Sequence, residues 1–484
     1  MILGPRLIRK IPAGCQNCRH PLVRSKGLKR VLRFRATICI GLTTFALAGS
    51  ATNDQSGTTA AKSCGPPVYC ARTDRNLEPY PKSPPSIGPA GSIIVDPGFS
   101  SRILRVTDDR SNPRQHGGPL FTPSSAEQNS WNKAATKFYV LTPGGEKVLY
   151  DFDPASMKAR QAEVLNIPGE PEFSYTRPDI LYGLSRTGFE EYDTSKKRVT
   201  EIDDASKCLR LEASDTAHSV SVSADDNRLM TVLGPQQDKN YVVYVYDRAL
   251  GCRWYNTQTG EIGGKWGAKG VVALPDRFTL HNARISKSGK YVYMVRGGSG
   301  PGRSWVVWNV DTTNLQVCSR ACPGHHVMGY SHILGGSGLT HPLDLWLRPL
   351  DHLESNSPLI TDLQHLPLPW YDSHFSWNNV DPNDSAPACF STYRLGNPDT
   401  PGAPLWVTGP WENEIACVET DGKQSRIWRF AHTYSTAKNG FWSSPRGNVS
   451  QDGRFFMFTS DWEDQLGKAS DGKYRTDVFV VELR

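Results

Sequence analysis

The 484-residue sequence holds little that would tie it to a membrane, to nucleic acid or to the commonest hydrolytic chemistries. Past residue 48 no apolar run approaches the length of a membrane-spanning helix. The formal charge of +7 does not describe a basic surface. Residues 1–51 carry ten Lys or Arg and no acid, and without them 45 basic residues face 48 acidic ones. Phosphate affinity needs clustered cations, so a nucleic-acid partner is disfavoured. No G-x-S-x-G elbow, no H-E-x-x-H pair and no glycine loop opening a helix occurs. Serine-hydrolase, zincin and nucleotide-binding readings are therefore unsupported. Long helical periodicity is absent as well, although 38% hydrophobic residues are enough for a globular core.

What the sequence does have begins with an export-like N-terminus. A basic stretch ends at Arg35, and the apolar run Ala36–Ala48 leads into small residues up to Ala51. This order, with an unusually long basic part, predicts a secretory signal over 1–51 and a secreted or periplasmic mature protein. Cys15 and Cys18 fall within the part to be removed. Eight cysteines remain, and an even number in an exported chain points to disulfides. Pairing neighbours predicts Cys64–Cys70, Cys208–Cys252, Cys318–Cys322 and Cys389–Cys417. Residues 52–90, rich in Ser, Thr, Gly and Pro, read as a linker, and 91–484 as one domain.

Across that domain short β-rich runs alternate with polar turns, and the runs repeat. The clearest units are HSVSVSADDNRLMTVLG (218–234), HNARISKSGKYVYMVRG (281–297) and GNVSQDGRFFMFTSDW (447–462). Each reads as strand, Ser-containing turn, strand. Third strands end near acidic turns, as in VVYVYDR (242–248) and VVWNVDT (306–312). The repeated turn followed by an apolar strand resembles the TolB-like and WD-repeat propeller families. That resemblance implies an all-β chain forming a single β-propeller of seven four-stranded blades. SRILRVTDD (101–109) and TDVFVVELR (476–484) would complete one blade between them, removing exposed sheet edges.

Five residues before each turn residue (Ser223, Ser286, Ser337 and Asn379) stand His218, His281, His332 and His374; the same offset gives Glu127 and Glu170 from Asn132 and Tyr175. In the last unit Pro445 takes that place, with Arg446 beside it. Equal offset predicts equal position at the start of each innermost strand, around one mouth of the central channel. Imidazoles and carboxylates suit a divalent cation such as Mn, Zn or Ca, for which His218, His281, His332, His374, Glu127 and Glu170 are the candidate ligands. The same ring suits β-elimination from a uronate-containing polysaccharide or oligosaccharide. A cation or Arg neutralises the substrate carboxylate, a base takes the adjacent proton, and an acid assists the leaving oxygen. His281, His332, His374, Tyr434 and Arg446 are the candidate catalytic groups, and His326, His432, Trp377 and Trp442 the candidate sugar contacts. The architecture is similar to propeller polysaccharide lyases of the oligogalacturonate and ulvan lyase type.

Competing readings accompany these. In WD-repeat propellers a repeated His hydrogen-bonds a turn Asp and only stabilises its blade. Glu127 and Glu170 would be the acid pair of a glycoside hydrolase, and a propeller can also bind protein or glycan on its top face without catalysis. In Gly324–His332, the adjacent His325 and His326 must point to opposite faces of a strand, so a regular strand cannot aim both at one ion. The chain is expected to act as a monomer, with no membrane or nucleic-acid partner.

Overall fold

The computed structural model describes residues 64–484 apart from 80, 273, 275–276, 298–304, 319–323, 337–344, 361–370, 395–408, 424–425 and 438–440. The signal segment and Cys322 lie outside the described residues. The described strands make seven antiparallel sheets, taken here in chain order from sheet one (residues 137–165) to sheet seven (residues 447–482). Each inner strand is short and leaves by a tight turn. In sheet four Leu280–Ile285 runs into the turn Ser286–Lys290 and returns as Tyr291–Arg296. There Ser286 Oγ accepts from Tyr291 N at 3.1 Å while Gly289 takes a positive φ of 71°, a conformation that glycine adopts without strain.

Hydrogen bonds between successive inner strands trace a closed ring. Phe173 N donates to Asn129 O at 2.8 Å, joining sheets one and two. Val222 N donates to Glu172 at 3.2 Å, Ile285 N to Ser221 Oγ at 3.3 Å and Lys287 N to Gly329 O at 2.8 Å. His325 Nδ1 meets Ser373 O at 2.7 Å and Val449 N donates to Ser376 Oγ at 3.0 Å. Trp131 Nε1 closes the circuit on Asn448 O at 3.1 Å. A ring of sheets sharing a central axis is a β-propeller.

Six of the sheets have four or more strands, and sheet one has three. At the inner position of sheet one only single bridges form, Trp131↔Phe138 and Phe121↔Leu141. The expectation of seven four-stranded blades is therefore not met in full. Sheet seven is closed as the sequence suggested: Asp477–Glu482 is hydrogen-bonded to Phe455–Ser460 on one side and to Arg102–Arg105 on the other. Apolar faces of adjacent sheets bury against one another; Val243, Tyr255, Ile285 and Trp308 belong to one such layer.

Cys64–Cys70, Cys208–Cys252 and Cys389–Cys417 are bonded, the last between directly paired residues of neighbouring strands. Cys318 is also in a disulfide. The segment after Cys64 packs down despite its linker-like composition: Tyr69 sits edge-on to Trp428 and Phe430, 5.2 and 5.1 Å between ring centres. No helix among the described residues is long and apolar enough to cross a membrane.

Candidate functional site

Register fixes which residues share a place around the axis. The inner strands turn at Asn132, Ser174, Ser223, Ser286, Gly329 and Ser450, whose backbone N–H in each case bonds the first residue of the next strand. Asn378 is the equivalent in sheet six, since Ser376 bonds the next inner strand as Ser221 does. Four residues before these turns stand Gln128, Glu170, Ser219, Asn282, His325, His374 and Arg446. Side chains two apart on a strand share a face, so the positive, imidazole-rich side of this ring belongs to sheets five, six and seven.

Contacts bear this out. The rings of His325 and His374 stack with centres 4.3 Å apart. His374 Nε2 lies 3.0 Å from Tyr393 Oη. The carbonyl of Ser373 can only accept, so His325 Nδ1 carries its proton, and in the neutral ring Nε2 is the basic nitrogen. Beside them Arg446 is 0% exposed. Its Nη1 donates to Phe441 O and lies 3.4 Å from Ser444 Oγ, and its plane lies 3.7 and 4.8 Å from the ring centres of Phe441 and Trp442. Nε and Nη2, both closed off from solvent, have no hydrogen-bond partner among the described residues. Thr122 Oγ1 donates to the Arg446 carbonyl at 2.6 Å, and Ser391 Oγ to that of Pro445. Burial pushes Arg446 down to about 10, against the raising effect of Glu170 and Tyr393; it stays charged at neutral pH. Its Nε–Nη2 edge is the one that pairs a carboxylate in a fork.

Deeper in the channel lies a second polar layer. Arg284 Nη1 is 3.2 Å from Glu172, and its Nε is 3.6 Å from Glu127 Oε2, which in turn lies 3.4 Å from His326 Nε2. Lys287 donates to Tyr175 Oη and sits 4.3 Å above that ring. Burial pushes Lys287 down to about 8 and holds His326 below the usual imidazole range.

The sequence-derived set is only partly brought together. Glu170, His374 and Arg446 reach the ring. His218 instead bonds Gly234 O at 3.1 Å. His281 is bulged out, 57% exposed, and pairs with Asp238 at 2.5 Å. His332 lies on the second strand of its sheet and meets Asp384 at 2.9 Å. His218 is thus held within its own sheet, whereas His281 and His332 each pair with an aspartate of a neighbouring sheet. Glu127 and His326 belong to the deeper layer. His432 and Tyr434 sit at the outermost strand of sheet six, where Asp96 accepts from His432 N and Tyr434 Oη, each at 2.9 Å. Trp377 is core, 1% exposed, whereas Trp442 is 41% exposed. His325 and Tyr393 complete the site, and only the Gly324–His332 cluster hinted at the first of them.

The donors do not make a metal site as expected. Among the described residues no three His, Cys, Asp or Glu side chains stand close enough to hold an ion. Two stacked imidazoles beside a guanidinium form a poor cation cage, because the Arg charge opposes the ion.

Neither a family model nor a curated protein sequence matches the chain. Solved structures do. An oligogalacturonate lyase in complex with manganese is similar at a TM-score of 0.52 and 12% identity, over 83% of this chain and 98% of that one. The WD40 repeats of RRP9 match at 0.46 and 9%, over 81% and 100% of the two chains. TolB from Acinetobacter baumannii matches at 0.28 and 13%, over 53% and 58%. At such identities the likeness is one of architecture, and the match at a TM-score of 0.52 agrees with the traced ring of sheets in making this chain a β-propeller.

Proposed function

We propose that the protein is an exported carbohydrate-active enzyme, a lyase that cleaves uronate-containing polysaccharide or oligosaccharide by β-elimination at the Arg446 funnel. One observation carries the reading: the buried Arg446 guanidinium, electrostatically linked to the Tyr393 phenol that meets His374, leaves Nε and Nη2 without a hydrogen-bond partner among the described residues. Arg446 takes the C6 carboxylate in a fork, which makes the C5 proton more acidic. His325 Nε2 accepts that proton, the C5–H electron pair forms the C4–C5 double bond, and the C4–O bond breaks. The departing sugar oxygen takes a proton from Tyr393 Oη, which His374 Nε2 orients and replenishes. Glu170 balances the Arg446 charge.

The solved propeller that acts on oligogalacturonate supports the substrate class by analogy of fold. No step is routed through a metal, because the donors among the described residues do not form a cage for one. Three disulfides and the basic-then-apolar N-terminal sequence support an extracellular or periplasmic location. The test is an absorbance screen for the unsaturated uronate product with pectate, ulvan and glucuronan fractions. Product should form with at least one fraction and vanish in Arg446→Gln and His325→Ala. Undiminished product in both variants would remove the reading.

A further inference from the structure

Large aromatic side chains are mostly covered, and ten of the thirteen tryptophans follow residue 300 in this chain. The pair Phe441 and Trp442 breaks that rule at 52% and 41% exposed. Both sit in the loop that brings the chain into the inner strand of sheet seven, five and four residues before Arg446.

The pair is rigidly mounted. Residues Phe441–Ser443 form a single 3-10 turn, Ser444 Oγ donates to Phe441 O at 2.7 Å, and Arg446 Nη1 donates to the same carbonyl. Trp442 rests on Phe121, ring centres 5.0 Å apart, and Phe121 is itself bridged to Leu141 of sheet one. One side of this pair is spent on Phe121 and the Arg446 guanidinium, and the remainder is open. A flat apolar face packed beside the Arg446 guanidinium fits the C–H face of a sugar ring.

We propose that Phe441 and Trp442 form a stacking subsite for the sugar adjoining the one whose carboxylate Arg446 holds, so that the smallest well-bound ligand is an acidic disaccharide. This rests on the preceding reading of Arg446 and adds a second contact point to it. A monosaccharide occupies the fork alone, and only a neighbour in the same chain reaches the aromatic pair. The platform reads the apolar ring face and not charge, so the neighbouring sugar need not be a uronate.

The test is calorimetric titration of the full chain with galacturonate and with digalacturonate. Wild type should bind the disaccharide about tenfold more tightly, equivalent to about 1.4 kcal/mol. Trp442→Ala should bring that ratio to about one. Trp442→Leu keeps apolar cover on Arg446 but has no flat face; it should lose the ratio too, which separates stacking from local collapse. Arg446→Gln should weaken both ligands. A wild-type ratio near one, or a ratio kept in both Trp442 variants, overturns the subsite while leaving the Arg446 reading in place. Binding of both sugars undiminished in Arg446→Gln overturns that reading instead, and failure of wild type to bind either sugar overturns both.

Discussion

Two regions of this propeller are built from the same residue types and come out opposite. At the outer edge of sheet six, Arg429 is fully buried and fully engaged. It pairs with Glu414 at 2.6 and 2.8 Å and donates to Asn76 O at 2.7 Å, while Asp96 collects His432 and Tyr434. In the inner-strand ring Arg446 is just as buried, yet two of its nitrogens find no hydrogen-bond partner among the described residues, near the His374–Tyr393 pair. Buried charge is costly unless paired. An Arg with every donor matched therefore holds structure together. One left with two unmatched nitrogens among the described residues has no such structural account, and under the proposal above an incoming carboxylate supplies the missing partner.

The contrast can be broken at several points. Arg429→Met leaves Glu414 buried without its partner and should cost about 3–5 kcal/mol of unfolding free energy in a denaturant titration. Arg446→Gln should cost little stability by the same measurement, because it removes a buried unmatched charge; equal destabilisation by the two would collapse the distinction. The second variant should instead lower turnover on the best uronate substrate about a hundredfold or more. His325→Ala and Tyr393→Phe should each lower kcat by about a hundredfold with a smaller change in KM.

A weaker effect concerns the deeper layer. Lys287 is held at about 8 in the folded chain against 10.5 when exposed. Between pH 8 and 10 the unfolded chain thus binds more protons, and stability rises with pH. Thermal unfolding of Lys287→Met should lack that rise, a difference on the order of 1–3 kcal/mol across the window. Smallest of all, His281→Ala should leave turnover within about twofold and stability within about 0.5 kcal/mol, since its Asp238 pair is half in water.

The repeat, the closing blade and three disulfides were legible because strand periodicity and turn chemistry are local. The ring was harder. Turn residues looked alike, but Asn132, Ser223 and Ser286 are the true turn positions, whereas Tyr175 and Asn379 each stand one residue past theirs. One offset of five therefore reached Glu170 and His374 correctly and landed on His218 and His281 instead of Ser219 and Asn282. A single-residue slip on a strand moves a side chain to the other face. In sheet five Ser337 was the wrong anchor altogether, since the turn begins at Gly329 and His332 already belongs to the second strand. Tyr393 lies on a second strand and left no trace in the repeat, because it joins the site through packing against His374 rather than through inner-strand position.

The zipped seam of sheet seven has a consequence for biosynthesis. Residues 477–482 lie between a strand made more than 370 positions earlier and one made just before them. A growing chain can fold individual sheets as they emerge, but the ring stays open until this last piece is available. Sheets six and seven already meet through the Val449–Ser376 bond, so this last piece adds the junction of sheet seven with the start of the domain, and with it the hold of Thr122 on the Arg446 carbonyl.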